Sequence, residues 1–204
     1  MLELLVPYKS DCPEREANKK DFLEHYKNYN VNIIENYAER CKAYNKAARA
    51  STAKYIALAD IDAIIPHTQM SNAVLKLDGG VDMVYPYSYI INTHRHDNST
   101  TDDWPEGYYY GCMVLFNREK FLEFGCENED FVGYGWEDLE RYYRAINHVL
   151  VIDRVEGNCY HMQHPRNMTK NPHFKRNYSL MQLEKNKCKN LTYSLDTTQQ
   201  FLTM

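Results

Sequence analysis

No apolar run in this chain approaches the ~20 residues that span a bilayer. Its opening Leu2-Glu3-Leu4-Leu5-Val6-Pro7 is too short for a signal peptide and has no basic flank. These absences lead to the expectation of a cytoplasmic protein, from a bacterium or from a virus that infects one. CxxC pairs are missing as well. The six cysteines (Cys12, Cys41, Cys112, Cys126, Cys159, Cys188) are scattered, which predicts reduced thiols acting as small buried hydrophobes. There is no internal repeat and no low-complexity tract. Nor is there an excess of positive charge: 24 Lys and Arg against 28 Asp and Glu leave a net −4. A chain so balanced has no global attraction to nucleic acid or anionic membrane. Seven of its bases nevertheless crowd between His164 and Asn190 beside a single acid, Glu184. That stretch could face a phosphate-bearing ligand or simply form a solvated helix face. Tryptophan is scarce, at two residues, whereas tyrosine reaches 18, a residue whose ring packs while its hydroxyl hydrogen-bonds in polar grooves.

What is present suits one folded domain. Hydrophobic residues make up 44% of 204 positions, enough for a sizeable core. Leu2–Tyr8 reads as a buried first strand, Pro13–Tyr29 as a helix with proline near its start, and Val31–Ile34 as a second strand. Ala38–Ala50 is rich in helix formers, and Lys54–Ala59 is a third strand that runs into Asp60. Strand and helix alternating with short connections predict a parallel α/β sheet with ligands at its strand ends. Further on, Ser71–Leu77 predicts a helix, Val81–Ile91 a strand, His94–Gly107 a polar loop, and Tyr108–Phe116 a strand. Arg118–Phe124 and Trp136–Ile146 predict helices, Val149–Val155 a strand, and Phe174–Lys187 a C-terminal helix.

Three constellations could carry chemistry. Asp60-Ile61-Asp62 places two carboxylates at a strand end, where converging hard oxygens suit Mg²⁺ or Mn²⁺ bridging to a diphosphate. A D-x-D at such a place can equally bind loop amides. His161-Met162-Gln163-His164 offers two imidazoles that converge if the backbone turns, and a mixed Asp/His set suits Mn²⁺. One buried and one exposed histidine is the plainer alternative. Gly133-Tyr134-Gly135-Trp136-Glu137-Asp138 joins a glycine-flanked aromatic segment to acids that start a helix. Those acids complement the helix dipole, and they could also bind sugar hydroxyls or deprotonate an acceptor.

In this order and spacing, the pieces resemble the β-1,4-galactosyltransferase family and its bacterial relatives, including chondroitin-synthase-like domains. The resemblance runs from about Leu4 to Tyr193. Leu5-Val6-Pro7-Tyr8-Lys9 is similar to the strand ending in P-F-R that opens the family's nucleotide site, and Glu39 to Asn45 is similar to its F-N-R-A-K-x-x-N helix. Asp60 to Pro66 resembles D-V-D-L-I-P with one extra residue, Tyr109-Tyr110-Gly111-Cys112 resembles Y-F-G-G, and Gly133 to Glu140 resembles W-G-W-G-G-E-D-D-D. His161 to Asn167 resembles M-I-R-H-S-R-D, and Asn171-Pro172-His173-Phe174 echoes N-P-x-R-F. Departures are plain: Tyr134 replaces tryptophan, Cys112 the second glycine, Leu139 the third acid, and Lys9 an arginine. The segment Tyr85–Gly107 is longer.

The resemblance implies a single GT-A domain, a Rossmann-like, mostly parallel twisted sheet flanked by helices. Residues 1–66 would be its nucleotide-binding half, and 67–204 its donor-sugar and acceptor half. It implies a metal-dependent inverting hexosyltransferase that uses a UDP-sugar, UDP-galactose above all. Mn²⁺ or Mg²⁺ would be held by Asp62, His164 and His161. Asp138 would be the catalytic base with Glu137 beside it. Pro7, Tyr8, Lys9, Arg40, Asp60, Tyr109, Gly111 and Trp136 would bind nucleotide or donor, and Tyr134 would belong to the acceptor-side loop. The implied acceptor is a glycan or lipid-linked oligosaccharide. Hydroxymethylated DNA bases and a non-catalytic carbohydrate-binding role are the alternatives, the former disfavoured by the net charge.

Overall fold

The computed structural model describes residues 1–35, 37–93, 109–165 and 171–201, with side chains to residue 188. The expected loop His94–Gly107 lies outside the described residues. The chain begins with β1 (Leu2–Pro7), α1 (Pro13–His25), β2 (Asn30–Ile34), α2 (Arg40–Ala50) and β3 (Tyr55–Ala59). It continues through β4 (Ala63–Ile64), α3 (His67–Asp78), β5 (Met83–Tyr85), β6 (Tyr89–Thr93), β7 (Met113–Asn117) and α4 (Arg118–Glu123). The last elements are α5 (Glu137–Asn147), β8 (Ile152–Arg154), β9 (Asn158–Met162) and α6 (Phe174–Phe201).

The main sheet has the order β2-β1-β3-β7-β5-β8. Only β7 runs against the others, pairing antiparallel with β3 and β5, so the sheet is mostly parallel. Tyr55-Ile56-Ala57-Leu58-Ala59 is buried along its whole length, as a central strand covered on both faces must be. Around it Leu4, Leu5, Phe22, Tyr26, Tyr44, Met113 and Phe116 form one continuous core. Pro13 opens α1, where its missing N–H costs nothing, and the Asn117 side chain caps α4 by accepting from the Glu119 and Lys120 amides.

Two features of this topology create the site. The chain leaves β1 toward β2 and then crosses back over β1 to β3, so a crevice opens at the carboxyl ends of β1 and β3. Because β7 is antiparallel to β3, its start meets the end of β3, with Met113 opposite Ala59. The Asp60 amide therefore donates to the Cys112 carbonyl at 2.8 Å, which sets Gly111 and Cys112 beside the Asp60-Ile61-Asp62 turn.

A second, three-stranded sheet, β4-β9-β6, corrects the sequence reading. Val81–Ile91 is two strands in two sheets, broken where Pro86 offers no amide to a ladder. His161 sits on β9 rather than in a turn, paired across from Ala63 of β4. The first helix ends at His25, short of Tyr29, and the strand expected over Val149–Val155 contracts to Ile152–Arg154.

Candidate active site

The β4–β9 pairing carries Asp62 and the two histidines together. Ala63 faces His161 in register, and the Met162 amide donates to the Asp62 carbonyl at 2.8 Å. Asp62 Oδ2 then lies 2.9 Å from His164 Nε2, and Asp62 Oδ1 lies 3.6 Å from His161 Nε2. One ligand atom from each residue fits within 4.8 Å of the others. Asp62 is buried, yet its Oδ1 has no hydrogen-bond partner among the described residues. A buried carboxylate oxygen without a donor, between two imidazoles, suits a divalent cation of the Mn²⁺ kind. Burial works to raise the Asp62 carboxyl, but the hydrogen bond from His164 and the charge of His161 outweigh it and hold it below its ordinary value.

Arg40, at the start of α2, enters the same crevice between three acids. Its guanidinium lies 3.3 Å from Asp60, 3.7 Å from Glu137 and 3.4 Å from Asp138. Burial pushes the Asp60 carboxyl up to about 6 despite the adjacent Arg40. Glu137 goes further: burial first, and then the Asp138 charge, raise it to about 7. Its Oε2 accepts from the Gly135 amide at 2.8 Å, so Glu137 both ties down the start of α5 and faces the crevice. Asp138 is held differently. Its Oδ1 accepts from Arg141 at 2.9 Å as well as from Arg40, while Oδ2 lies toward Gly111. A Cβ at Gly111 would stand 3.1 Å from that oxygen, which explains a residue without a side chain there.

Asp62, the two histidines, Arg40 and its three acids, and Gly111 line one cleft of about 450 Å³. Of the residues expected from sequence, Pro7, Lys9, Arg40, Asp60, Asp62, Tyr109, Gly111, Tyr134, Glu137, Asp138, His161 and His164 are on its wall. Tyr8 is not: strand alternation turns it to the opposite face, where it is buried under Lys19 with the ammonium 4.3 Å from the ring. Trp136 is not on the wall either. With φ at 74° it turns back onto α6, its ring packing against Phe174 at 5.6 Å and Tyr178 at 4.9 Å. The aromatic of that loop that reaches the cleft is Tyr134.

The sequence reading passed over Asp11, Arg15 and Tyr37. Arg15 is on the first turn of α1, ion-paired to Asp11 at 3.0 Å, and Lys9 lies over the Tyr37 ring at 4.5 Å. The place of Arg15 just after the first strand of an α/β unit was the one available signal, since no spacing motif marks it. Glu127 and Arg141, behind Asp138, were passed over as well.

Comparison with known proteins bears on the fold. Residues 95–165 match the family model described as the N-terminal domain of galactosyltransferase. The catalytic domain of Drosophila β1,4-galactosyltransferase 7 in complex with xylobiose aligns with a TM-score of 0.52 at 18% identity, over 75% of this chain. A variant of the same Drosophila enzyme, in complex with manganese, UDP-Gal and xylobiose, aligns with a TM-score of 0.56 at 18% identity, over 83% of this chain. The fold is galactosyltransferase-like GT-A. The chain spans 63% of the first of these structures and 73% of the second. No curated protein sequence matches it.

Proposed function

We propose that this galactosyltransferase-like protein is a metal-dependent, inverting glycosyltransferase that moves a hexose, preferably galactose from UDP-galactose, to an acceptor hydroxyl of a glycan. The observation that carries this reading is the convergence of the Asp62–His161–His164 cluster and the Glu137–Asp138 pair on one cleft, from three stretches spread over about 100 residues of chain. The Drosophila structures, one with manganese and UDP-Gal and both with xylobiose, support the choice of donor, cation and acceptor class.

Asp62, His161 and His164 would hold the cation, which supplies Lewis-acid stabilisation of the departing diphosphate. Lys9 and Arg15 bring positive charge to the β1 side of the cleft, where the nucleotide end of the donor would lie. Asp138 Oδ2 takes the proton of the acceptor hydroxyl as its oxygen attacks the anomeric carbon and the bond from that carbon to the diphosphate oxygen breaks. Attack opposite the leaving group inverts the anomeric centre in a single displacement. Glu137, with its raised affinity for a proton, can donate a hydrogen bond to a donor-sugar hydroxyl near neutral pH. Tyr109, on the cleft wall, falls where the family it resembles has an aromatic residue associated with choosing galactose over N-acetylgalactosamine, which supports the same role here.

A donor panel tests this. Nucleotide release from UDP-, GDP- and CMP-sugars, measured with Mn²⁺, is expected to be fastest with UDP-galactose. Tyr109→Leu is expected to admit UDP-N-acetylgalactosamine. Preference for a GDP- or CMP-sugar would overturn the donor assignment, and an unchanged profile in Tyr109→Leu would reject the role of that residue.

A further inference from the structure

Behind the proposed base lies a buried polar chain that the reaction itself does not use. Arg141, on α5 one turn after Asp138, is 2% exposed, and its guanidinium makes three hydrogen bonds. Two go to Glu127, at 2.7 and 2.9 Å, in a bidentate pair that is buried on both sides. The third goes to Asp138 Oδ1 at 2.9 Å. Glu127 is itself fixed by its backbone: Asn45 of α2 donates to its carbonyl at 2.9 Å and accepts from its amide at 2.8 Å. A chain of hydrogen bonds therefore runs from α2 through Glu127 and Arg141 to one oxygen of Asp138, while the other oxygen faces Gly111 and the cleft.

We propose that Arg141, held by Glu127, is a positioning residue that fixes the Asp138 carboxylate with Oδ1 locked and Oδ2 presented to the acceptor; the inference rests on the reading of Asp138 as base. The physical case is geometric. A carboxylate at the start of a helix can rotate about χ2, and each rotation exchanges the oxygen offered to the cleft. A guanidinium held by a bidentate partner through Nε and Nη2 removes that freedom, because the second N–H of the same Nη2, the one given to Asp138, then has one direction. Arg40 touches the same Oδ1 at 3.4 Å, a longer contact shared with Asp60 and Glu137, so it adds charge without an equal directional constraint. Positioning a proton acceptor within hydrogen-bond reach acts on turnover and leaves ground-state donor binding largely alone.

The test is a double-mutant cycle on UDP release from UDP-galactose with Mn²⁺, using Arg141→Lys, Asp138→Asn and the double variant of the full chain. Lysine keeps the charge and loses the fork. Arg141→Lys is expected to lower kcat about tenfold with the donor KM within about twofold, and to cause no further loss in the Asp138→Asn background. Glu127→Gln, which preserves shape, should give a smaller loss with the same dependence on Asp138. It serves as the second probe should Arg141→Lys fold poorly by thermal denaturation. Wild-type kcat in both variants, or an equal fractional loss with and without Asp138, overturns the positioning role while leaving the base in place. Wild-type turnover in Asp138→Asn overturns the base assignment, and the positioning role with it.

Discussion

Glu137 shows how far one residue's surroundings can move its chemistry. Its carboxyl is buried, beside Asp138, and ends near 7 instead of its ordinary 4.5. An acid whose folded-state value is raised binds its proton more tightly in the folded chain than in the unfolded one. The stability this confers is complete below 4.5 and is lost as pH rises through about 7. Wild type should therefore lose stability from about pH 5 to about pH 8 relative to Glu137→Gln, by on the order of 2 kcal/mol. Urea denaturation at the two pH values checks this, and parallel pH dependence in the two proteins would contradict it. The same paired acids read in the sequence as helix-start residues or sugar ligands. In the structure Glu137 stands at the start of that helix, its Oε2 accepting the Gly135 amide, and lines the cleft beside Arg40.

At the scale of elements, the segment before α5 is held from the far end of the chain. Asn171 donates to the carbonyls of Val132 at 3.2 Å and Tyr134 at 2.6 Å. The Phe174 ring would lie 2.8 Å from a Cβ at Gly135, where φ is +114°, so glycine is required twice over. The Gly133 amide meanwhile donates to Glu39, the residue before α2. Removing the Asn171 side chain should cost about 1–2 kcal/mol and raise the donor KM, since Tyr134 and the start of α5 lose their anchor. Denaturation together with donor saturation curves for Asn171→Ala measures both, and an unchanged KM would show that the clamp does not reach the site.

Elements also show what was legible in the sequence. β1, β2, β3 and the helices between them follow from short apolar runs, a proline at a helix start and a stretch of helix formers, so the crevice and Asp60–Asp62 could be placed. β9 could not. Asn158-Cys159-Tyr160-His161-Met162 has no clean alternation of polarity, and its partner β4 is only Ala63–Ile64. The pairing that delivers His161 to Asp62 is a contact between residues nearly a hundred positions apart, which no window of sequence reports. The packing of Trp136 away from the cleft was hidden for a related reason: its apolar partners, Phe174 and Tyr178, lie on a helix that begins 38 residues later. The buried Glu127–Arg141 pair is invisible for the same cause, since an acid and a base in sequence look alike whether solvated or enclosed.

For the molecule as a whole, the mostly parallel sheet supplies a rigid floor, and the antiparallel β7 brings Gly111 against it. The small sheet β4-β9-β6 carries the Asp62–His161–His164 side of the cleft, and α5, packed on α6, carries the Asp138 side. No described helix is long and apolar enough to cross a membrane. In the proposed reading, a divalent cation at Asp62–His161–His164 is the one requirement on which the transfer depends. The most direct measurement is UDP release from UDP-galactose by wild type and by Asp62→Ala, each with Mn²⁺ and with EDTA. Release by wild type with Mn²⁺, and its loss both in EDTA and in Asp62→Ala, is the predicted result; equal release in EDTA, or from Asp62→Ala, would contradict it.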